Sequence, residues 1–293
     1  MRVGHFRRVQ QRMMKSSSSD HLLTSDPDSH GVVVVRMNRP KKLNGWTPTM
    51  LSSLLSTLES LDKETSAKAV VLTGTGDYYC AGVDLSGSFQ LGTPQSTYDK
   101  IVESNRNVFD TFLNFSKPLI VACNGHAIGA SVTSATLCDA IVAASPEVTF
   151  TTPFGRLGIS PEGCSSVHFE KCFGSEFARA MLKENRVLRA DEALEIGFVD
   201  EVVESEEMLL KRASEMAKDR IGERRKIHGE ELTRYREVNL KESHDLANAF
   251  MSEKFLQAQI DFAEGKGKSD IARMFRLMLW TRPIWGRMVS GLM

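Results

Sequence analysis

The middle of the chain alternates between short apolar runs and segments with helical spacing, and this alternation limits the possible folds more than any other feature. The runs are four or five residues long and rich in Val, Ile and Ala, which is typical of buried β-strands. Between the first two runs, Met50, Leu54 and Leu58 recur with the spacing of one helix face. Strands that alternate with helices predict an α/β domain over residues 26–205. The predicted strands are Val32–Val35, Ala69–Thr73, Leu119–Cys123, Ala140–Ala143, Val148–Thr151 and Val199–Val203.

After about residue 205 the strand pattern ends, and the chain has the pattern of charged amphipathic helices. The predicted helices cover residues 206–220, 228–243 and 244–263. The last segment, 271–293, combines Arg residues and no acid with Met, Leu, Phe and Trp. We expect it to form a helix packed on the core or on a partner subunit, with contact to a membrane surface as the alternative.

The amino-terminal segment has its own composition. Residues 1–19 contain five basic residues and no acid, and they end in a run of four serines. This composition is typical of a mitochondrial transit peptide, and a disordered basic tail is the alternative. The final Gly-Leu-Met does not match the peroxisomal signal Ser-Lys-Leu, so we expect a mitochondrial protein, with the peroxisome as the alternative. The predicted division is a tail over 1–25, a core over 26–205 and a helical, oligomer-forming region over 206–293.

Charge and cysteine content exclude several classes of function. The 37 Lys and Arg residues balance 37 Asp and Glu residues, which argues against nucleic-acid binding driven by bulk charge. No apolar run approaches the ~18 residues of a transmembrane helix. The five cysteines include no C-x-x-C pair, so we expect reduced core thiols and no metal site.

Three glycine-containing turns follow predicted strands and carry the candidate chemistry. In the first, 80–85, small residues around Gly82 would let a ligand approach the backbone. The second, 124–130, leads into a helix of small residues, whose first N–H groups could form an oxyanion hole. From spacing alone, ordinary strand-to-helix connections explain both turns.

The third turn, 157–164, contains Glu162 and has two interpretations. In the first, Ser160 is the N-cap of a helix, Pro161 its first residue and Glu162 a first-turn acid that complements the helix dipole. In the second, the helix N-terminus keeps the Glu162 carboxylate ionised, and this carboxylate acts as a base.

Four motifs, taken in order, resemble those of the enoyl-CoA hydratase/isomerase (crotonase) superfamily. They are Pro40–Asn44, Ala81–Leu85, Asn124–Gly129 and Ala193–Val199. The resemblance implies an α/β fold, a crotonase-like spiral of ββα turns with a C-terminal helical extension that builds a homotrimer or a dimer of trimers. It also implies an acyl-CoA thioester as ligand and no separate cofactor, because coenzyme A is part of the substrate.

The resemblance also assigns site residues. By position, the backbone N–H groups of Val83 and Ala130 grip the thioester oxygen and form the oxyanion hole. The predicted substrate-binding residues are Ala81, Gly82, Val83, Asp84, Leu85 and Lys42.

The side chains at the catalytic positions favour one subfamily. Hydratases of this superfamily use two glutamates, and their positions fall here at Thr133 and Phe154, which cannot form an acid–base pair. Glu162 stands where hydratases usually carry glycine, and the segment 160–166 resembles the Δ3,Δ2-enoyl-CoA isomerases of the second, peroxisomal/mitochondrial type. This resemblance implies that Glu162 is the single base of an enzyme that moves the double bond of 3-enoyl-CoA to 2-trans-enoyl-CoA in the oxidation of unsaturated fatty acids. The alternatives are a non-catalytic crotonase-like binding module or another crotonase activity, such as enoyl-CoA hydratase or dienoyl-CoA isomerase.

Overall fold

The computed structural model describes residues 14–16, 21–84, 93–223 and 225–290. Leu85, one of the predicted substrate-binding residues, lies outside these ranges, as does most of the predicted transit peptide. No helix in the described part of the chain is both long enough and apolar enough to cross a membrane.

The strands form two sheets. Numbered in chain order, they are β1 (Met14–Ser16), β2 (Leu22–Ser25), β3 (Val32–Met37), β4 (Ala69–Thr73), β5 (Tyr78–Cys80), β6 (Leu119–Cys123), β7 (His126–Ile128), β8 (Ala140–Ala143), β9 (Thr149–Thr151), β10 (Val187–Arg189) and β11 (Glu201–Val202). The larger sheet has the order β1-β2-β3-β4-β6-β8-β11 and is parallel from β3 onward. The smaller sheet has the order β10-β9-β7-β5, with β5, β7 and β9 parallel and β10 antiparallel. Every residue of β4, β6 and β8 is buried, which explains their unbroken apolar runs.

Helices occupy most of the remaining described residues. A 3₁₀ helix covers Pro40–Lys42. The α-helices are α1 (Pro48–Lys63), α2 (Pro94–Asn114), α3 (Ala130–Thr136), α4 (Phe154–Leu157), α5 (Ser165–Phe173), α6 (Ser175–Leu182), α7 (Ala190–Glu195), α8 (Glu206–Asp219), α9 (Gly229–Phe250), α10 (Glu253–Gly265) and α11 (Ser269–Ser290).

The order of these elements confirms the expected spiral. Three consecutive pairs of strands, β4–β5, β6–β7 and β8–β9, are each followed by a helix. In each pair the first strand joins the larger sheet and the second joins the smaller one. Parallel neighbours cannot be joined by a tight turn, so each repeat returns through a crossover to lie beside the previous one. After β11 the described elements are all helices, as expected for the C-terminal region.

The helices confirm one predicted element and contradict one predicted boundary. The apolar stripe predicted between the first two strands becomes α1, with Met50, Leu54 and Leu58 buried. The break predicted between residues 243 and 244 is wrong, because α9 continues to Phe250 and the next helix starts after Ser252. The Ser252 hydroxyl accepts a hydrogen bond from the Phe255 N–H and supplies the N-cap there.

The described residues group into two compact units that interleave along the chain. The first draws on Met1–Ser88, Thr111–Thr151 and Val187–Leu232, and it contains both sheets. The second draws on Phe89–Asp110, Thr152–Arg186 and Thr233–Met293, and it is helical. The division into consecutive segments stays a prediction. Strand β2 nevertheless falls inside the segment assigned to the amino-terminal tail.

Candidate active site

The turn after β5 brings two stretches of backbone into close contact within the first unit. Gly82 has a φ of +80°, which favours glycine. A Cβ atom added at Gly82 would lie 2.6 Å from the carbonyl oxygen of Ile128 and 3.8 Å from the nitrogen of Ala130. Only glycine therefore allows the first and second glycine-containing turns to approach this closely.

The predicted oxyanion-hole residues both have backbone N–H groups that find no acceptor among the described residues. Val83 forms an isolated parallel bridge with Trp46, in which the Trp46 N–H donates to the Gly82 oxygen (2.8 Å) and the Asp84 N–H donates to the Trp46 oxygen (2.9 Å). The bridge uses the residues that flank Val83 and leaves the N–H of Val83 itself unused. Over the described ranges, neither this N–H nor that of Ala130 has a hydrogen-bond acceptor. Such N–H groups are available to a ligand oxygen.

Ser131 fixes the second turn against the first. Its hydroxyl accepts a hydrogen bond from the Ile128 N–H (3.1 Å) and donates to the carbonyl of Cys80 (2.8 Å). The Gly129 N–H also donates to the Thr151 oxygen at 2.8 Å, which ties the turn to β9. The sequence pattern predicts only a helix of small residues here, because nothing in the spacing of Ser131 indicates this bridging role.

Two asparagines of the family-like motifs hold the turn that leads into β5. Asn44 is fully buried, and its side-chain amide donates to the oxygens of Thr75 (2.9 Å) and Tyr78 (2.7 Å). The Asn124 amide donates to the Gly76 oxygen at 2.7 Å. These bonds give the motif asparagines a structural role in fixing the turn that leads into β5.

The remaining predicted substrate-binding residues of the first unit lie beside this turn. The Ala81 N–H donates to the Leu43 oxygen at 2.9 Å, and Asp84 is half-buried. Lys42 is exposed at the end of the 3₁₀ helix. This exposure is compatible with a phosphate contact, and the assignments stay predictions.

Glu162 lies in the second unit, in an irregular segment before α5. The helix begins at Ser165, and its N-cap residue Cys164 has a φ of +61°. The capped-helix interpretation of this turn is therefore wrong, and the buried Ser160 hydroxyl has no hydrogen-bond partner among the described residues. The reason is that Gly163 and Cys164 both adopt left-handed conformations, which delay the start of the helix.

The surroundings of Glu162 favour a protonated carboxyl group. The residue is 6% exposed, and its carboxylate has no hydrogen-bond or ion-pair partner in the part of the chain that the structure describes. Burial and the nearby charge of Glu242 raise the pKa of Glu162 to about 8. The expectation that the helix N-terminus keeps this carboxylate ionised is therefore wrong, because burial has the larger effect.

Glu242, which the sequence pattern did not single out, binds the loop that carries Glu162. It lies on α9 and is 3% exposed. Its carboxylate accepts hydrogen bonds from the backbone N–H groups of Cys164 (2.6 Å) and Ser166 (2.9 Å). A signal was available: Tyr235, Asn239 and Glu242 recur with helical spacing on one buried face. In a segment rich in charged residues, that polar stripe looks like a solvent-exposed face.

The two positions that carry glutamates in hydratases hold other buried side chains. Thr133 is fully buried in α3, and its hydroxyl donates to the Ala130 oxygen at 3.2 Å. Phe154 is 1% exposed at the start of α4. Neither side chain is a carboxylate, so neither can act as the general acid or base that a hydratase glutamate supplies.

Comparisons with known proteins agree with this fold. Residues 28–266 match the family model described as enoyl-CoA hydratase/isomerase. The human protein named enoyl-CoA delta isomerase 2 is 33% identical over 273 residues, which cover 87% of this chain and 66% of that protein. The chain thus spans just under two thirds of that relative's length.

Two further matches show the same family likeness. The Arabidopsis thaliana protein named probable enoyl-CoA hydratase 1, peroxisomal, is 34% identical over 207 residues, which cover 70% of this chain and 74% of that protein. A crystal structure of an enoyl-CoA hydratase/isomerase from Pseudoalteromonas atlantica superposes with a TM-score of 0.73 at 26% identity, covering 84% of this chain and 97% of the other.

Proposed function

The chain belongs to the enoyl-CoA hydratase/isomerase family, and we propose that it is a Δ3,Δ2-enoyl-CoA isomerase that converts 3-enoyl-CoA to 2-trans-enoyl-CoA in the oxidation of unsaturated fatty acids. The observation that supports this proposal most is the buried carboxylate of Glu162, which has no partner among the described residues, in a chain that lacks both hydratase glutamates. A reaction that moves one proton needs one base, whereas adding water needs a second group to activate the water.

The proposed reaction uses Glu162 twice. The ionised carboxylate removes a proton from C2 of the 3-enoyl thioester, and the electron pair moves into a dienolate whose charge lies on the thioester oxygen. The backbone N–H groups of Val83 and Ala130 donate hydrogen bonds to that oxygen and stabilise the dienolate. The carboxyl group then returns the proton to C4, the double bond forms between C2 and C3, and Glu162 is again ionised. No cofactor takes part, because coenzyme A is a portion of the substrate.

Hydration is the main alternative, since one relative is named an isomerase and another a hydratase. Thr133 and Phe154 argue against it because neither supplies a carboxylate. A non-catalytic acyl-CoA-binding module would not need an unpaired buried carboxylate, which is costly to place in a protein interior.

The compartment and the assembly are part of the proposal. The basic, acid-free residues 1–19 support import into mitochondria, and the name of the Arabidopsis relative makes the peroxisome the alternative. The exposed apolar side chains of α11 support assembly as a homotrimer or a dimer of trimers.

The test compares two reactions and two variants. The wild-type protein should convert 3-enoyl-CoA to the conjugated 2-enoyl product far faster than it hydrates crotonyl-CoA. In Glu162→Gln, which keeps the size of the side chain but cannot take the proton, isomerisation should fall by about 10²–10⁴-fold or more. Glu170→Gln removes an exposed carboxylate from α5 and should leave the rate unchanged. Equal rates of hydration and isomerisation, or an active Glu162→Gln protein, would contradict the proposal.

A further inference from the structure

The loop that carries Glu162 is anchored by hydrogen bonds to a different helix, α9. Cys164 is the N-cap residue of α5, yet no side chain of the loop caps that helix. The Glu242 carboxylate on α9 caps the helix instead. It accepts hydrogen bonds from the backbone N–H groups of Cys164 (2.6 Å) and Ser166 (2.9 Å). The Cys164 thiol donates to the Tyr235 oxygen at 3.3 Å, which is a second tie between the loop and α9. All of these groups belong to the second unit.

The capping carboxylate lies on a helix that is itself fixed by buried polar contacts. The Asn239 amide donates to the Arg106 oxygen at 3.0 Å and to the Asp110 carboxylate at 2.9 Å, both on α2. The Asn105 amide donates to the Ser243 hydroxyl at 3.0 Å. The side chains on both sides of Glu242 along the buried face of α9 are therefore anchored, which restricts the positions that its carboxylate can occupy.

The contacts of Glu242 explain why the Glu162 carboxylate has no hydrogen-bond partner among the described residues. The N–H groups at the start of α5 are the nearest local donors to a carboxylate in the preceding turn. Two of them are already bonded to Glu242. The carboxylate of Glu162 is thus left without a hydrogen-bond partner among the described residues, which is what a base that must accept a substrate proton requires.

We propose that Glu242 is a positioning residue for the reaction, in that its carboxylate occupies the helix N-terminus next to Glu162 and so keeps the Glu162 carboxylate unpaired and in place. The inference rests on the proposed function, because it assigns Glu242 a role through the base of that reaction. Glu242 needs no contact with the substrate in this role.

Charge adds a second, measurable consequence. The nearby charge of Glu242 contributes to the raised pKa of Glu162, after burial. Other titratable groups near the pair are Asp110 on α2, Asp245 on α9 and the thiol of Cys164. Asp245 is ion-paired with Lys241 at the surface. On α5, Nδ1 of His168 is hydrogen-bonded to the Tyr235 hydroxyl at 2.8 Å.

The experiment measures turnover and the titration of the Glu162 carboxyl group in the full chain. The titration is followed by ¹³C NMR of labelled glutamate side chains, with the Glu162 signal assigned by its absence in Glu162→Gln. In Glu242→Gln, kcat should fall by about 10- to 100-fold through misplacement of the base, with little change in KM. The titration of Glu162 should move to lower pH, since a neighbouring negative charge is removed. Glu237→Gln removes an exposed carboxylate from the same helix and should change neither.

A second variant separates charge from position. Glu242→Asp keeps the charge but shortens the side chain, so kcat should fall while the titration of Glu162 stays at high pH. This variant also serves if Glu242→Gln does not fold, and an unchanged kcat in Glu242→Asp would then overturn the inference. An unchanged Glu162 titration in a folded Glu242→Gln protein would also overturn it. If the wild-type protein shows no isomerase activity, the proposed function fails, and the titration alone still decides the role of Glu242.

Discussion

At the scale of single residues, burial of Glu162 lowers the ionised fraction of its carboxylate and raises the basicity of that fraction. With a pKa of about 8, most Glu162 carboxyl groups in the free protein are protonated at neutral pH. The ionised fraction is a stronger base than a surface glutamate, because its charge is poorly stabilised. A general base works best when its pKa lies near the operating pH, so the raised pKa suits the removal of a proton from C2.

The raised pKa predicts the pH dependence of the reaction. A base must be ionised to act, so kcat/KM for 3-enoyl-CoA should rise with pH and level off above about pH 8. A pH series of initial rates at low substrate concentration measures this limb. A limb near the ordinary pKa of glutamate, at about 4.3, would show that the base is not in the environment described for Glu162.

At the scale of secondary-structure elements, the contact between the first two glycine-containing turns is the feature that should tolerate substitution least. Gly82 lies against the backbone of Ile128 and Ala130, and the N–H groups proposed to bind the thioester oxygen flank this contact. Because these are backbone groups, no side-chain substitution at Val83 or Ala130 removes them directly. A substitution that separates the two turns tests them instead.

Gly82→Ala provides this test. Its Cβ would collide with the Ile128 oxygen at 2.6 Å, so the two turns must move apart and the N–H donors lose their common target. We expect kcat to fall by about 10²-fold or more, as for loss of one oxyanion-hole donor. Gly197→Ala is the matched control, because Gly197 has a similar φ of +73° but nothing within 4 Å of an added Cβ. The control should carry the backbone strain alone, ~1–3 kcal/mol, and keep its kcat. Equal losses of kcat in both variants would point to strain rather than to the donors.

The elements also show what periodicity could and could not predict. Six of the eleven described strands were predictable because they lie in short apolar runs, and α1 was predictable because its apolar residues have helical spacing. The other five strands have three or four residues each, which is too short for a clear pattern. The start of α5 was not, because Gly163 and Cys164 adopt left-handed conformations that override the helix-start signal of Ser160 and Pro161. The end of α9 was misplaced because no helix-breaking residue marks either position.

At the scale of the whole molecule, the spiral of ββα turns came from the family resemblance and not from the strand and helix pattern alone. The pattern gives the order of elements, but which strand joins which sheet depends on pairing between distant segments. The same limit applies to the site. Glu162 could be singled out from its motif, whereas Glu242 follows it by 80 positions and meets its loop only in the folded chain.

Helix α11 has an exposed apolar face that bears on the assembly of subunits. Ala272 and Phe275 are buried, and Phe275 packs against Phe255 of α10. Further along α11, three large apolar side chains with helical spacing are highly exposed. They are Leu277 (57%), Trp280 (78%) and Ile284 (74%). Exposed apolar faces of this kind are typical of subunit contacts.

If this face joins subunits, placing charge on it should dissociate the oligomer. We expect the wild-type protein to sediment as a trimer or hexamer, and the double variant Trp280→Glu, Ile284→Glu to shift toward monomer with its helix content retained. A buried interface anchor typically contributes about 2 kcal/mol or more to association, and a buried unpaired carboxylate adds a further penalty. Leu194→Glu, which charges an exposed leucine of α7 in the first unit, should leave the sedimentation unchanged. A double variant with the wild-type mass would mean that subunits associate through another surface, since a face that tolerates two charges is not buried in the assembly.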